Sequence, residues 1–382
     1  MLDPFEVSLA GRVNRVTESQ TTRVFTLAQQ LQRQGRQIVN LAVGEPDFDT
    51  PGEVIEASSQ ALAAQATRYG PVAGIDLLRG GLADGFEGFG LENIIITNGA
   101  KQALFTLFQA LCDAGDEIIL PMPYWVSFAE QIKLAGGRPV LVKTIDHQID
   151  PEVVEAALTD RTKAILINTP NNPTGAVYAP QAIADVVAVA EKHGIYLISD
   201  EAYHAFTYDG LPPVGVWETA GHSGRVITVR SFSKHYNMTG FRLGYVAAHP
   251  PLIQIMIKLQ SHISGNVCTF AQHGGLAAIQ MDQSIVEQRR RQLEQRRDLA
   301  YEAASALFDC VKPQGAFYLF PDVTRRLKKN ETSEDLSMRL LEKSGVAVVP
   351  GEAFGSPGHI RISFGAKEED LHSAFERIRK AL

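Results

Sequence analysis

Apolar and polar positions alternate along this chain in more than one rhythm. Residues 21–35 (TTRVFTLAQQLQRQG) carry apolar side chains at helical spacing as far as Gly35, which predicts an amphipathic helix stopped by that glycine. IVNLAVG then reads as a strand running into a polar, proline-punctuated loop, EPDFDTP. From about residue 94 short apolar runs recur: NIIIT, EIILP, RPVLV, KAILIN, GIYLIS, RVITVR and GYVAA. Stretches of helical period, such as KQALFTLFQAL and PQAIADVVAVAEKHG, lie between several of them. Strands alternating with helices predict a mostly parallel sheet covered on both faces, and runs without a polar face, such as AILI, fit burial on both sides. After about residue 283 the rhythm changes to one long amphipathic helix, three short strands (GAFYLF, GVAVVPG, HIRISFG) and a final helix. That change predicts a second, smaller α+β domain.

Composition narrows the function classes. The chain has 382 residues, 45% hydrophobic and 21% charged, with a formal net charge of -7. These are ordinary values for a globular protein large enough for two domains and a sizeable core. Mild acidity argues against a nucleic-acid partner, which favours a basic face. The densest basic run, Arg289 to Arg291 with Arg296 and Arg297 nearby, is interleaved with Glu287 and Glu294 and reads as a solvated helix face. Cys112, Cys268 and Cys310 are far apart and form no CxxC pair, so each reads as a small core residue. The ten histidines form no HExxH or close His/Asp cluster, which disfavours a metal enzyme. No window approaches the roughly 18 uninterrupted apolar residues of a membrane helix. The opening MLDPFEVSLAGRVN lacks a basic region followed by an apolar core, so no signal peptide is read and a cytoplasmic protein is expected.

Candidate chemistry gathers where apolar strands end. Lys234 in SFSKHYNMTGFRLGYV follows the run RVITVR, flanked by Ser231, Ser233 and Arg242. Most lysines are solvated surface residues. One at the carboxyl end of a buried strand, among hydroxyls and an arginine, can keep its amine partly neutral, as Schiff-base formation with an aldehyde requires. Asp200 ends GIYLIS, with Tyr203 three residues on; alone, this aspartate is as readily a helix N-cap. Asn172 in NNPTG closes another apolar strand, although the tetrapeptide by itself is only a turn signal. TNGAKQALFTLF places a glycine turn before a helix whose first amides could hold a phosphate, without the pattern of a P-loop or of GxGxxG. Tyr124 and Trp125 follow a further strand, where an aromatic packs into core or stacks on a flat ring.

Taken together and in order, GEPDFDTP, RYGP, GAKQAL, PYWVSF, NNPTG, SDEAY, SFSKHYNMTGFRLGY and IRISFG closely resemble the class I, fold-type I aminotransferases that use pyridoxal 5′-phosphate (PLP). The resemblance runs from about residue 5 to the C-terminus and is closest to bacterial aspartate aminotransferases of the subgroup that includes aspartate/prephenate aminotransferases. It implies an α/β fold: a large PLP-binding domain over 45–283 with a mostly parallel seven-stranded sheet, and a small domain from 1–44 and 284–382. It implies that Lys234 is the catalytic residue, holding PLP as an internal aldimine and moving the proton during transamination. Asp200 is similar to the partner of the pyridine nitrogen, Tyr203 and Asn172 to the groups that bond the 3′-oxygen, and Trp125 to the ring-stacking aromatic. Ser231, Arg242 and the Ala100–Lys101 backbone match the phosphate cradle. Tyr69 in RYGP matches a tyrosine that reaches the neighbouring subunit's phosphate, which implies a homodimer.

For substrate, the resemblance implies that Arg361 clamps the α-carboxylate while Gly44, Trp125 and Asn172 line its approach. Lys101 aligns with a lysine that binds the distal carboxylate of dicarboxylic substrates, and Ser19 and Thr21 with its hydroxyl partners. The expected reaction moves an amino group from aspartate to 2-oxoglutarate by a ping-pong route, with prephenate a second acceptor. ESQTT, where relatives commonly carry a proline, and SHISGNV near residue 261 depart from the family pattern. A broader-specificity aminotransferase, a PLP-dependent β-lyase or decarboxylase on the same scaffold, and a non-catalytic PLP-binding regulatory or structural protein are the rival readings. The regulator would need an appended DNA-binding module, for which the chain has no spare residues.

Overall fold

The computed structural model describes residues 10–17, 20–221 and 223–382, without the side chains of 20–23 and 25. In chain order its strands are β1 (Val39–Asn40), β2 (Ile94–Thr97), β3 (Glu117–Met122), β4 (Arg138–Lys143), β5 (Thr162–Asn168), β6 (Tyr196–Asp200), β7 (Val226–Ser231), β8 (Gly244–Ala247), β9 (Tyr318–Leu319), β10 (Val346–Ala347), β11 (Val349–Pro350) and β12 (Ile360–Ser363). Strands β2 to β8 form one seven-stranded sheet in the order β2-β8-β7-β6-β5-β3-β4. Every pairing in it is parallel except those of β8, which runs against both β7 and β2. All seven apolar runs of the sequence became strands of this sheet.

Its burial explains why those runs lack a polar face. Successive residues of β5 point to opposite sides: Ala164 and Leu166 pack with Leu104, Phe108 and Ile253, while Ile165 and Ile167 pack with Ile183 and Val186. The helix Ala100–Leu111 supplies the first layer and Pro180–His193 the second. The second helix starts with proline at its first turn and stops at Gly194, whose φ of 67° supplies the left-handed cap. Because β8 is antiparallel to both neighbours, β2 and β7 point the same way as β3, β5 and β6. With β4 parallel to β3, the carboxyl ends of six strands therefore open on one side.

The remaining strands are short. β1 pairs in parallel with β10, and β11, β12 and β9 form an antiparallel sheet. This part packs on the long helix Ser284–Ser305 and the last helix Glu368–Ala381, with Phe317, Leu319, Leu336, Ile362 and Phe375 in its core. GVAVVPG, read as one strand, divides into β10 and β11, which pair with different partners. IVNLAVG shrinks to the two residues of β1, after which Leu41 stays attached by accepting a bond from Ser363 N at 2.9 Å.

Two expectations need correction. The basic run is not a uniformly solvated face: Arg289 and Arg297 are buried. Arg289 donates to Asp49 O, and Arg297 is held by Asp209 at 2.6 Å and by Asp298. Charge compensation thus comes from distant loops, not only from the interleaved glutamates. Cys268 is exposed rather than a core residue. Among the described residues no cluster suited to a metal ion is found, and no helix is long and apolar enough to cross a membrane.

Candidate active site

At the carboxyl ends of the sheet lies a cavity of about 620 Å³. Strands β5, β6 and β7 end here in Asn168, Asp200 and Ser231, so these polar residues meet where the sheet stops. Asp200 is the last residue of β6 and is buried. Its Oδ1 accepts from Ala202 N at 3.1 Å, and only turns follow, so it is not the N-cap of a helix. Burial pushes its carboxyl up to about 7.

Lys234 sits one turn past β7, in the short helix Phe232–His235 that Ser231 caps through Ser233 N at 3.1 Å. Its amine donates to Gly44 O at 2.5 Å. Burial pulls it down to about 8, reinforced by Arg242, Arg361 and Lys101 and opposed by Glu45. Near neutral pH, Lys234 therefore holds a much larger neutral, nucleophilic fraction than an ordinary lysine does.

Beside it the helix Ala100–Leu111 opens on the cavity at Ala100 and Lys101, where first-turn amides have no partner within the helix. Gly99 precedes them at a φ of 79°, and a Cβ there would come within 2.5 Å of Arg242 Nη2. Only a glycine lets the guanidinium lie against this turn. Arg242, Ser231, Ser233 and these amides form a set of donors suited to a phosphate dianion. The cavity is lined by four cationic side chains, Lys101, Lys234, Arg242 and Arg361, against the single carboxylate of Asp200, so it favours anionic ligands.

On the opposite wall Arg361, from β12, is buried. It donates to Asn172 Oδ1 at 2.9 Å and to Ala42 O at 2.8 Å, while its Nε has no partner among the described residues. Arg361 lines the cavity, and a guanidinium there is suited to a carboxylate. Asn172 Nδ2 donates to the Tyr203 hydroxyl at 3.3 Å, and the Tyr203 and Tyr318 hydroxyls are 2.9 Å apart. Lys101 Nζ lies 5.1 Å over the Trp125 ring.

Of the residues singled out in the sequence, Gly44, Ala100, Lys101, Trp125, Asn172, Asp200, Tyr203, Ser231, Lys234, Arg242 and Arg361 all line this cavity. Tyr69 does not; it is fully exposed on this single chain. Ser19 and the side chain of Thr21 lie outside the described residues. Sequence reading named Ser233 only as a neighbour of Lys234 and missed Ala42, Val43, Asn168, Ala202 and Tyr318 as lining residues. Asn168 and Ser233 adjoin strand ends already identified and could have been found that way, whereas Tyr318 carried no signal beyond an aromatic in a short apolar run.

Residues 36–378 match the family model described as aminotransferase class I and II. The chain is 42% identical over 387 aligned residues to the probable aspartate/prephenate aminotransferase of Aquifex aeolicus, covering 98% of each chain. It is 38% identical to the aspartate aminotransferase of Geobacillus stearothermophilus, again over 98% of both. Among solved structures, the aspartate aminotransferase of Thermus thermophilus with maleate superposes with a TM-score of 0.93 at 40% identity, covering 98% of this chain and 100% of that one. With likeness of this depth along its whole length, the chain belongs to the class I and II aminotransferase family and is an aminotransferase of fold-type I.

Proposed function

We propose that this aminotransferase uses PLP held by Lys234 and passes the amino group of aspartate to 2-oxoglutarate by a ping-pong route. The observation that carries this reading is the cavity's pairing of a partly buried lysine of lowered pKa with a buried carboxylate, beside a set of donors suited to a phosphate. Arg242, Ser231 and the amides of Ala100 and Lys101 hold the phosphate. Trp125 stacks on the ring, and Asn172 and Tyr203 bond its 3′-oxygen. Asp200 faces the ring nitrogen; a cation there pairs with the carboxylate and returns its pKa toward the ordinary range. When bound, PLP supplies an electron sink for the electrons left at the substrate Cα. Arg361 clamps the α-carboxylate and Gly44 lets it approach. With PLP bound, the amine of Lys234 would be the group that takes up and gives back the substrate Cα proton. Without any acceptor, the holoprotein and aspartate should release about one oxaloacetate per chain in a burst and then stop. Absence of the burst would overturn the ping-pong reading.

Lys101 sets the preference for a second carboxylate. It lines the cavity with the other cations, and desolvation followed by Arg242 lowers its pKa. A distal carboxylate would relieve both effects. The relatives' names, aspartate and aspartate/prephenate aminotransferase, and the maleate of the Thermus structure support dicarboxylic substrates, with prephenate a second acceptor. Lys101→Gln should raise KM for aspartate roughly 10- to 100-fold, the worth of a hydrogen bond to a charged group, and leave KM for alanine within about twofold. Equal effects on both amino acids would remove Lys101 from this role.

We further propose division into a large domain over 45–283 and a small one from 1–44 and 284–382, and a homodimer in which Tyr69 completes the partner's phosphate site. The full exposure of Tyr69, with exposed Ile55, Leu62 and Leu77 on the helices Gly52–Ala63 and Asp76–Ala83, supports a covered face. Mixing Lys234→Ala with Tyr69→Ala chains should produce hybrid dimers with one fully intact site. Activity should then exceed the sum of the two separate variants; no gain on mixing would refute the shared site.

A further inference from the structure

The contact between the Tyr318 and Tyr203 hydroxyls, 2.9 Å long, links the three-stranded sheet to the end of a strand of the seven-stranded one. Tyr318 lies on β9 of the three-stranded sheet, and Tyr203 follows β6 of the large one. Both are buried and line the cavity. The polarity of their bonding is set by Arg361, which can only donate and bonds Asn172 Oδ1. The Asn172 amide nitrogen must therefore face Tyr203, so the Tyr203 oxygen accepts one bond. Tyr203 is left with one lone pair and one proton. The Arg361 guanidinium carbon lies 4.5 Å over the Tyr318 ring, a cationic neighbour that favours donation by the phenol. Gly44 lies close by: a Cβ there would sit 3.0 Å from the Tyr318 oxygen. With Tyr318 as donor, both Tyr203 lone pairs are occupied and its single proton is committed to an acceptor in the cavity.

We propose that Tyr318 is a positioning residue whose hydroxyl donates to Tyr203 and so turns the Tyr203 proton toward the 3′-oxygen of the bound cofactor. The proposal rests on the PLP reading given above. It ties the Arg361 wall to the cofactor wall through Asn172, Tyr203 and Tyr318.

A hydrogen bond onto the 3′-oxygen favours the deprotonated form of the bound chromophore, so weakening that bond raises the pH midpoint of its visible absorbance. The experiment is a spectrophotometric pH titration of the holoprotein for the native chain, Tyr318→Phe, Tyr203→Phe and the double variant. Tyr318→Phe should move the midpoint up by about half to one pH unit, the amount one hydrogen bond supports. Tyr203→Phe should move it at least as far, and the double variant should match Tyr203→Phe alone, because Tyr318 acts through Tyr203. The affinity for succinate should stay within about twofold in Tyr318→Phe, since the ring beneath Arg361 is retained. An unmoved midpoint in Tyr318→Phe, shifts that add in the double variant, or lost succinate binding would each overturn the proposal. A native holoprotein with no pH-dependent cofactor absorbance would instead overturn the PLP reading beneath it.

Discussion

Lys234→Ala is expected to lower kcat for aspartate roughly 10⁴- to 10⁶-fold, the range seen when a group acting as nucleophile and base in every cycle is removed. The size follows from the two tasks placed on one amine. Lys234 lies past the end of an apolar strand where burial lowers its pKa to about 8, and no second lysine of the cavity shares that place: Lys101 lies over Trp125. Lys234→Arg should fall about as far, because a guanidinium stays protonated and cannot act as base or nucleophile. Neither change should unfold the chain, since the side chain's recorded hydrogen bond is the one it gives to Gly44 O. Steady-state rates with aspartate and 2-oxoglutarate, alongside circular dichroism of each variant, check the result. A Lys234→Arg protein within tenfold of native activity would contradict the assignment.

Asp200→Asn should pull activity and stability in opposite directions. The neutral amide cannot balance a protonated ring nitrogen, and kcat/KM should drop at least about 10²- to 10³-fold, as for loss of one preorganised electrostatic partner. In the cofactor-free protein the same change should stabilise. Burial raises the Asp200 carboxyl to about 7, above its ordinary 3.8, so the folded chain holds this proton more tightly than the unfolded chain does. The resulting stability is fully present below the unfolded value and is lost as pH rises through about 7. Above that, the ionised carboxylate costs at most about 4 kcal/mol, the equivalent of about three pH units. Asp200→Asn should therefore raise Tm of the cofactor-free protein by a few degrees at pH 8, with a gain that shrinks toward pH 5. Equal Tm values at pH 8 would show that the carboxylate is not strained by its burial.

The large sheet was legible because two-sided burial leaves a mark that no surface strand carries. In β5 every residue from Ala164 to Asn168 is buried, and the run is apolar until it reaches the cavity edge. The same edge explains why Asn172, Asp200 and Lys234 could be picked out: each follows directly on such a run. Asp200 alone remained divided between a cap and a site residue, and its bond to Ala202 N shows why, since the two roles share a local signature. The small sheets were legible only as apolar fragments. β9, β10 and β11 are two residues each, and their pairing is set by partners far along the chain. Tyr318 was invisible for that reason: its meaning comes from Tyr203, more than a hundred residues away. Arg289 and Arg297 misled because charge spacing along a helix does not reveal that Asp49 and Asp209 arrive from other segments to satisfy them. Tyr69 points to the other limit, a residue whose proposed task lies in a second copy of the chain.

The most direct test is chemical trapping at one nitrogen. The holoprotein would be treated with borohydride, digested, and its peptides mapped by mass. A single pyridoxyl adduct on the peptide containing Lys234, at about one per chain, is the expected result. An adduct confined to Lys101 or another lysine, or no adduct on a chain that retains the cofactor, would contradict the central assignment.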